Sequence, residues 1–205
     1  MTNKISDDQY AFQEQWKEIE HRYNPNIVSL QRVTPKAGVL ASVEFTVTPR
    51  GAAVMGKAPK MYILNRDNAD DMQADSIRGQ VDIIPGFPQT RPVVSFPYRT
   101  ALKHINVFNS GKMCIGNSEL TVLSVLFDNI IGACIYNPDP SIANYDSPAN
   151  KDIIGWQRQK EKSGEFPIID PSKIFAKRIN TLPSIKRTNT TAKSNGLPPV
   201  HIAGR

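Results

Sequence analysis

Cysteine and histidine are scarce in this sequence, and no long apolar run occurs. The 205 residues include two cysteines and three histidines, which show no paired spacing of metal ligands. A membrane-spanning helix needs about 20 apolar residues in succession, and no run approaches that length. The N-terminus runs into an acidic stretch without a signal-peptide pattern. We therefore expect free thiols in a reducing, cytoplasmic compartment, no contact with a membrane, and no metal or cofactor bound by the chain itself.

Acidic residues are absent from one end of the chain. Residues 171–205 include seven basic residues and no acidic one, so the rest of the chain has 18 basic and 19 acidic residues and is nearly neutral. The net charge of +6 therefore belongs to the tail. Such a tail can bind nucleic acid or an acidic protein surface, or it can remain solvated. We predict a domain over residues 1–170 and a basic tail over 171–205 that is disordered beyond Asn180.

The first segment has the pattern of an amphipathic helix over about residues 6–22. Ser6 and Gln9 have the spacing of a capping box, and two aspartates follow Ser6 in the first turn. The apolar residues of this segment recur on one helical face, at Phe12, Trp16, Ile19 and Tyr23.

Short β-rich segments follow, with no helical pattern between them. Their residues are largely β-branched and apolar, and Pro or Gly bounds most of them, at 27–33, 39–48, 61–64, 77–84 and 91–96. The polar stretch 65–76 is predicted to be a loop. Strands joined without long crossovers pair antiparallel, so we expect a four-stranded antiparallel meander.

The second half of the chain is predicted to be helical. Residues 119–135 are apolar on nearly every side, which indicates a buried helix with Cys134 as a small core residue. A third helix is predicted over 149–162 and a short fourth over 171–179. The fold class is therefore α+β, with an N-terminal helix, an antiparallel sheet and C-terminal helices.

One stretch resembles a phosphate-binding loop, but the resemblance is incomplete. Gly51, Gly56 and Lys57 have the required spacing, whereas Ala58 replaces the residue that would hold magnesium. Pro59 then leads into a strand pattern instead of a helix. We predict a connection between strands here and no nucleotide site.

Cys114 is the residue with the most evident capacity for covalent chemistry. It lies on a predicted turn between the sheet and the buried helix. A thiol nucleophile needs a nearby base or a lowered pKa. Of the histidines, His21 lies in the first helix and His201 in the tail, which leaves His104 as the candidate base. Composition alone favours an ordinary loop thiol at Cys114.

The residues around Cys114 resemble the active-site motif of ubiquitin-conjugating enzymes. That family has His-Pro-Asn followed at this spacing by the catalytic cysteine, and here the motif is His104, Asn106 and Cys114, with Gly111 three residues before the thiol. The resemblance extends over about residues 81–150. It includes the proline-rich turn at 85–92, the helical residues 120–126 and the loop residues 137–140 and 147–150.

The resemblance implies a UBC-like fold (the fold of this family) and an enzyme that works through a thioester. Cys114 would accept a ubiquitin-like modifier from an ATP-dependent activating enzyme and pass it to a lysine of a target protein, with or without a ligase. Asn106 would support the loop and stabilise the oxyanion. His104 and Gly111 would support the active-site loop. Ser147 falls where the family carries the gate-loop residue that helps the incoming lysine, and Asp146 would add negative charge.

The sequence also departs from the family pattern. Ile105 replaces the motif proline, and only residues 115–118 separate Cys114 from the predicted helix, where the family has a longer flap. These traits resemble divergent bacterial relatives in anti-phage conjugation systems. Two other functions stay open: an inactive scaffold that binds ubiquitin-like proteins, and a nucleic-acid-binding protein that uses the basic tail. Binding of the latter kind would weaken steeply with salt and would survive loss of Cys114.

Overall fold

A computed structural model of the chain describes residues 6–49, 61–64, 71–97, 99–115, 122–137, 142–166 and 171–176. The fold is α+β, with an N-terminal helix, a four-stranded antiparallel sheet and two C-terminal helices. The stretch from Gly51 to Pro59, the predicted start of the buried helix at Glu119 and the tail beyond Ala176 lie outside the described residues. None of the described helices is long and apolar enough to cross a membrane.

The first helix, α1 (Asp7–Ile19), begins where the capping box predicts it. The Ser6 hydroxyl accepts a hydrogen bond from the Gln9 amide, and the Gln9 side chain accepts one from the Ser6 amide. These bonds satisfy two of the amide groups that every helix N-terminus leaves unpaired. The helix ends earlier than predicted because Tyr23 leaves the helical path and pairs with Phe175 in an isolated antiparallel bridge.

The predicted antiparallel sheet is confirmed. Its strands are β1 (Val28–Val33), β2 (Ala41–Val47), β5 (Ile77–Ile83) and β6 (Val93–Ser95), and they are ordered β1-β2-β5-β6. Apolar residues alternate along β2 and β5, so one face of the sheet is buried in the core.

A separate hairpin interrupts the meander between β2 and β5. Strand β3 (Met61–Ile63) pairs with β4 (Met72–Ala74) and not with the main sheet. The prediction of a loop over 65–76 is therefore wrong at β4. Strand β4 is largely exposed and carries no apolar alternation, so its sequence gave no strand signal. On its other side β3 bonds to residues 101–103, since the Lys103 amide donates to the Tyr62 carbonyl at 2.8 Å.

The buried helix α2 (Leu123–Cys134) packs against the sheet. The ring of Phe127 lies edge-on to Phe45 of β2, with 6.4 Å between the ring centroids. Cys134 is fully buried, as predicted. The helix begins at Leu123, because Val122, which was predicted to lie in the helix, is extended and the Gln15 side chain accepts the Leu123 amide at 2.7 Å. Helix α1 therefore caps the start of α2.

The last described residues of the chain pair with the segment just after α1. A 3-10 turn at Lys151–Ile153 leads into α3 (Ile154–Ser163). A second 3-10 turn, Pro171–Lys173, replaces the predicted fourth helix within the described residues. The chain is extended after this turn, since Asn24 donates to the Ile174 carbonyl at 2.7 Å and Ala176 donates to the Arg22 carbonyl at 2.9 Å.

Gly79 makes room for a core aromatic ring. It lies opposite Phe45 in the register of β2 and β5, and a Cβ at Gly79 would lie 2.3 Å from the Phe45 ring and 2.9 Å from the Ser95 carbonyl oxygen. We expect Gly79→Ala to lower the free energy of unfolding by about 1–3 kcal/mol in urea titrations, because the core is overpacked.

The matched control for this experiment is Gly155→Ala in the exposed part of α3. A Cβ there meets no atom within 4 Å, so this substitution should be neutral or raise the free energy of unfolding by about 1 kcal/mol. Equal effects at the two positions would contradict the packing account.

Candidate active site

The segment from His104 to Cys114 pairs with the edge of β6 through residues 111–113. The Met113 amide donates to the Val94 carbonyl at 2.9 Å, and the Phe96 amide donates to the Gly111 carbonyl at 2.8 Å. Just before these contacts the chain turns back on itself over residues 108–111, since the Phe108 amide donates to the Lys112 carbonyl at 2.8 Å. Cys114 thus stands at the end of a tight turn that is anchored to the sheet.

Gly111 is the residue that permits this turn. Its φ of +86° lies in the left-handed region, where residues with a Cβ are strained. A Cβ at Gly111 would also lie 2.7 Å from the Phe96 carbonyl oxygen. Both constraints select glycine at this position.

The two central residues of the motif are joined through their backbones. The Cys114 amide donates to the Asn106 carbonyl at 2.7 Å. The side-chain amide of Asn106 donates to the carbonyl of Ile142. Cys114 is a free, partly exposed cysteine. Asn106 therefore fixes the backbone of the thiol residue on one side and a neighbouring loop on the other.

Ile105 explains how the loop is built without the motif proline. Its amide donates to the side-chain carbonyl of Gln157 at 3.0 Å, and its carbonyl accepts from the Asn150 amide at 2.9 Å. Proline has no amide hydrogen, so it could not make the first bond. Gln157 comes from α3 and is 1% exposed. Helix α3 therefore supplies a hydrogen-bond acceptor to which a proline at position 105 could not donate.

His104 is buried beneath the loop. Its Nδ1 accepts the Asn106 amide at 3.1 Å, and its ring packs on Tyr136 with 5.8 Å between the ring centroids. Burial lowers the pKa of His104 to about 3, which makes it a poor base near neutral pH. The structure thus places His104 as a support of the Asn106 backbone and not as a partner suited to deprotonate a thiol.

Asp146 and Ser147 lie on an exposed turn of the neighbouring segment. The Asn144 side chain accepts both of their amides, at 3.0 and 3.1 Å. Contacts at the two ends of this segment tie it to the motif loop. Ile142 accepts from Asn106 at one end, and the Asn150 side chain donates to that of Asn109 at 2.9 Å at the other. The fold thus brings the segment that carries Asp146 and Ser147 to the loop that carries Asn106.

A charged and aromatic cluster lies beneath the start of the loop. Asp71 accepts Lys103 at 2.8 Å, Trp156 at 2.7 Å and Lys160 at 3.1 Å. Burial alone would raise the pKa of Asp71, but these hydrogen bonds hold that pKa below its usual value. The Lys103 ammonium also lies 4.2 Å from the centroid of the Trp156 ring. Asp71 thereby joins the β3–β4 hairpin region, α3 and the residue before His104.

Two contributors to the site, Gln157 and Asp71, were missed by sequence reasoning. Gln157 follows the buried Ile153 by one helical turn, so it is a polar residue on an inward face of α3. Its position on that face was the only indication in the sequence that Gln157 contributes to the site. Asp71 lies in a stretch whose pattern predicted a loop, and nothing in the sequence indicated its partners. Among the described residues, no group of three or more His, Cys, Asp or Glu side chains could hold a metal ion.

No protein-family model matches the chain, and a search of curated proteins finds no significant match. What the site can do therefore follows from its own residues. They are a partly exposed thiol on an anchored turn, an asparagine one backbone hydrogen bond away, and an exposed Asp-Ser pair on the adjoining segment. This combination suits nucleophilic acyl transfer.

The buried His104 predicts an acid-sensitive stability. Its pKa of about 3 in the folded state lies below the ordinary value of 6.5, so the unfolded chain takes up a proton first as the pH falls. The free energy of unfolding should therefore decrease from about pH 6.5 downward, by up to about 1.4 kcal/mol per pH unit. His104→Asn should show a shallower slope between pH 6.5 and 4.5 in urea titrations.

His21→Asn is the matched control, because the His21 side chain is 87% exposed. This variant should keep the slope of the parent protein. Identical slopes for the parent and His104→Asn would contradict the assignment of His104 as a buried, neutral side chain.

Proposed function

We propose that this chain is a conjugating enzyme for a ubiquitin-like protein, with a UBC-like fold and a thioester intermediate on Cys114. The observation that carries the proposal is the 2.7 Å hydrogen bond from the Cys114 amide to the Asn106 carbonyl. It joins the two motif residues that would act most directly in acyl transfer, the thiol nucleophile and the asparagine that would stabilise the oxyanion. The exposure of the two thiols supports the same residue, because Cys114 is partly exposed whereas Cys134 is fully buried.

The proposed reaction has two acyl transfers. The Cys114 thiolate attacks the carbonyl carbon of the modifier's thioester on the activating enzyme, and the thiolate of that enzyme leaves. The amine of a target lysine then attacks the new thioester, an amide bond forms, and the Cys114 thiolate leaves as the amine loses a proton to solvent or to the gate residues. Cysteine suits both steps because its thiolate is a good nucleophile and a good leaving group.

Asn106, Ser147 and Asp146 have separate parts in this reaction. The Asn106 side chain secures the adjoining segment through Ile142 and, by resemblance to the family, stabilises the oxyanion of the tetrahedral intermediate. Ser147 and Asp146 are exposed on that segment, where an incoming lysine can reach them. Their oxygens would orient the amine and accept its proton.

The partners follow from the reaction. They are a ubiquitin-like modifier, an activating enzyme that uses ATP, a target protein and, for some targets, a ligase. No ATP is needed at Cys114 itself, because thioester exchange is close to energetically neutral. The replacement of the motif proline by Ile105 favours a divergent modifier. It also favours a cytoplasmic bacterial defence system as the setting, by resemblance to divergent bacterial members of the family.

Thioester formation on Cys114 is the central prediction. In the presence of ATP and a matched activating enzyme and ubiquitin-like protein, we expect an adduct that reductant releases and that maps to Cys114 by mass spectrometry. Cys114→Ala should abolish the adduct. Cys134→Ala should leave it intact, because Cys134 is buried and burial raises the pKa of its thiol.

The result that would overturn the function is a normal adduct with Cys114→Ala. Absence of any adduct with the parent protein and an active partner set would instead favour the scaffold function. In that case the modifier should still bind the chain without a covalent bond, and titration calorimetry would measure it.

The second step should depend more strongly than the first on Asn106 and Ser147. With preformed thioester and free lysine as the acceptor, Asn106→Ala and Ser147→Ala should each slow aminolysis by on the order of 10- to 100-fold. Formation of the thioester should change much less. Ser29→Ala, an exposed serine on β1, is the control and should affect neither step. Equal losses in both steps would contradict the roles assigned to Asn106 and Ser147.

A further inference from the structure

Helix α3 contacts both loops of the site through one face. Gln157 accepts the Ile105 amide at 3.0 Å, at the motif loop. Glu161 accepts the hydroxyl of Tyr145, which immediately precedes the Asp146–Ser147 turn. Residues four apart lie on the same side of a helix, and the Gln157 side chain donates to Glu161 at 3.4 Å. A chain of hydrogen bonds therefore runs from Ile105 through two α3 side chains to Tyr145.

We propose that Gln157, Glu161 and Tyr145 form a positioning network that sets the Asp146–Ser147 turn relative to the loop of Asn106 and Cys114. The role of the network in transfer rests on the proposed function. None of the three residues need touch the reacting atoms. They act through the two loops, so their effect should fall on the geometry with which an amine meets the thioester.

Several observations support the network over a simple surface contact. Gln157 is 1% exposed, so its side chain has little freedom to bond to water instead. Burial, followed by the hydrogen bond to Glu161, raises the pKa of Tyr145, which therefore stays a hydroxyl donor over the physiological range. The Arg158 guanidinium lies 4.8 Å from the centroid of the Tyr145 ring and holds it on α3.

The shape of the Asp146–Ser147 turn and its placement against α3 depend on different contacts. Asn144 shapes the turn itself by accepting the Asp146 and Ser147 amides. Within the described residues, Tyr145 connects the middle of the segment to α3 through two contacts, the hydrogen bond from its hydroxyl to Glu161 and the contact of its ring with Arg158. Removal of the hydroxyl should therefore leave the turn able to form, but the turn should open more often and be less well placed.

Tyr145→Phe tests the network because it removes one oxygen and retains the ring on Arg158. The Cys114 thioester can be formed directly from a synthetic peptide thioester that ends in glycine, and free lysine can serve as the acceptor. We expect aminolysis to slow about five- to tenfold, as for the loss of one hydrogen bond, with thioester formation changed less than twofold. Tyr10→Phe is the matched control, since Tyr10 is 61% exposed on α1.

A double-mutant cycle with Ser147→Ala separates positioning from general destabilisation. If Tyr145 acts through the turn, Tyr145→Phe should slow aminolysis less than twofold further in a chain that already lacks the Ser147 hydroxyl. Multiplicative effects of the two substitutions, or equal losses in thioester formation and aminolysis, would overturn the positioning role.

Amide hydrogen exchange tests the same network without any activity. In the full chain, Tyr145→Phe should speed exchange at the Asp146 and Ser147 amides about five- to tenfold and leave the β2 amides unchanged, whereas Tyr10→Phe should alter neither set. Unchanged exchange at Asp146 and Ser147 would overturn the network. If exchange responds but the parent protein forms no thioester, the network stands as a structural link and the proposed function fails.

Discussion

The structure around Cys114 depends on pairing the backbone groups at the start of its loop, residues 104–107, which are buried or partly buried. Unpaired N–H and C=O groups away from water are costly, so each must find a partner. The Asn106 amide donates to His104, the Ile105 amide to Gln157 and the Val107 amide to the His104 carbonyl. The carbonyls of Ile105 and Asn106 accept from Asn150 and Cys114. The partners come from α3, the segment after α2 and the thiol residue, so the loop fixes all of these elements relative to each other.

This requirement explains why the residues beneath the loop are polar or aromatic and not simply apolar. Gln157 is needed because Ile105 has an amide to satisfy, and its helix must be held in register with the loop. The hydrogen bonds and ion pairs of Asp71 with Lys103, Trp156 and Lys160 connect the chain just before His104 to α3. Tyr136 completes the arrangement, since its hydroxyl donates to the Lys103 carbonyl at 3.1 Å.

Sequence patterns predicted the elements that rely on local chemistry or on periodic burial. The capping box at Ser6 specifies the start of α1, and the alternation along β2 and β5 specifies a half-buried sheet. Cys134 was predicted to lie in the core because its helix is apolar on nearly every side. Patterns failed where pairing is set by distant residues. Strand β4 has no apolar alternation, and α2 begins at Leu123 because Gln15 of another helix accepts that amide.

The candidate site likewise has some features that follow from local sequence patterns and others that depend on tertiary contacts. The motif spacing drew attention to His104, Asn106 and Cys114, and Gly111 follows from a turn that only glycine fits. The hydrogen bond from Ile105 to Gln157 could not be predicted, because the two residues are 52 positions apart in the chain. The bonds of Cys114 to Asn106 and of Tyr145 to Glu161 depend on the paths of irregular segments, which no periodic pattern describes. A lone buried glutamine on a helix face suggests that a partner exists, but it does not identify that partner.

The anchoring of the thiol segment on β6 has a consequence for aggregation. Unpaired groups along the edge of a sheet can recruit a strand from another molecule. Here the Gly111–Met113 stretch occupies that edge, through hydrogen bonds with Val94 and Phe96 and a bridge between Ser95 and Lys112. The residues that present the thiol also shield the end of the sheet, so a motion that lifted Cys114 away from β6 would create a site for intermolecular strand addition.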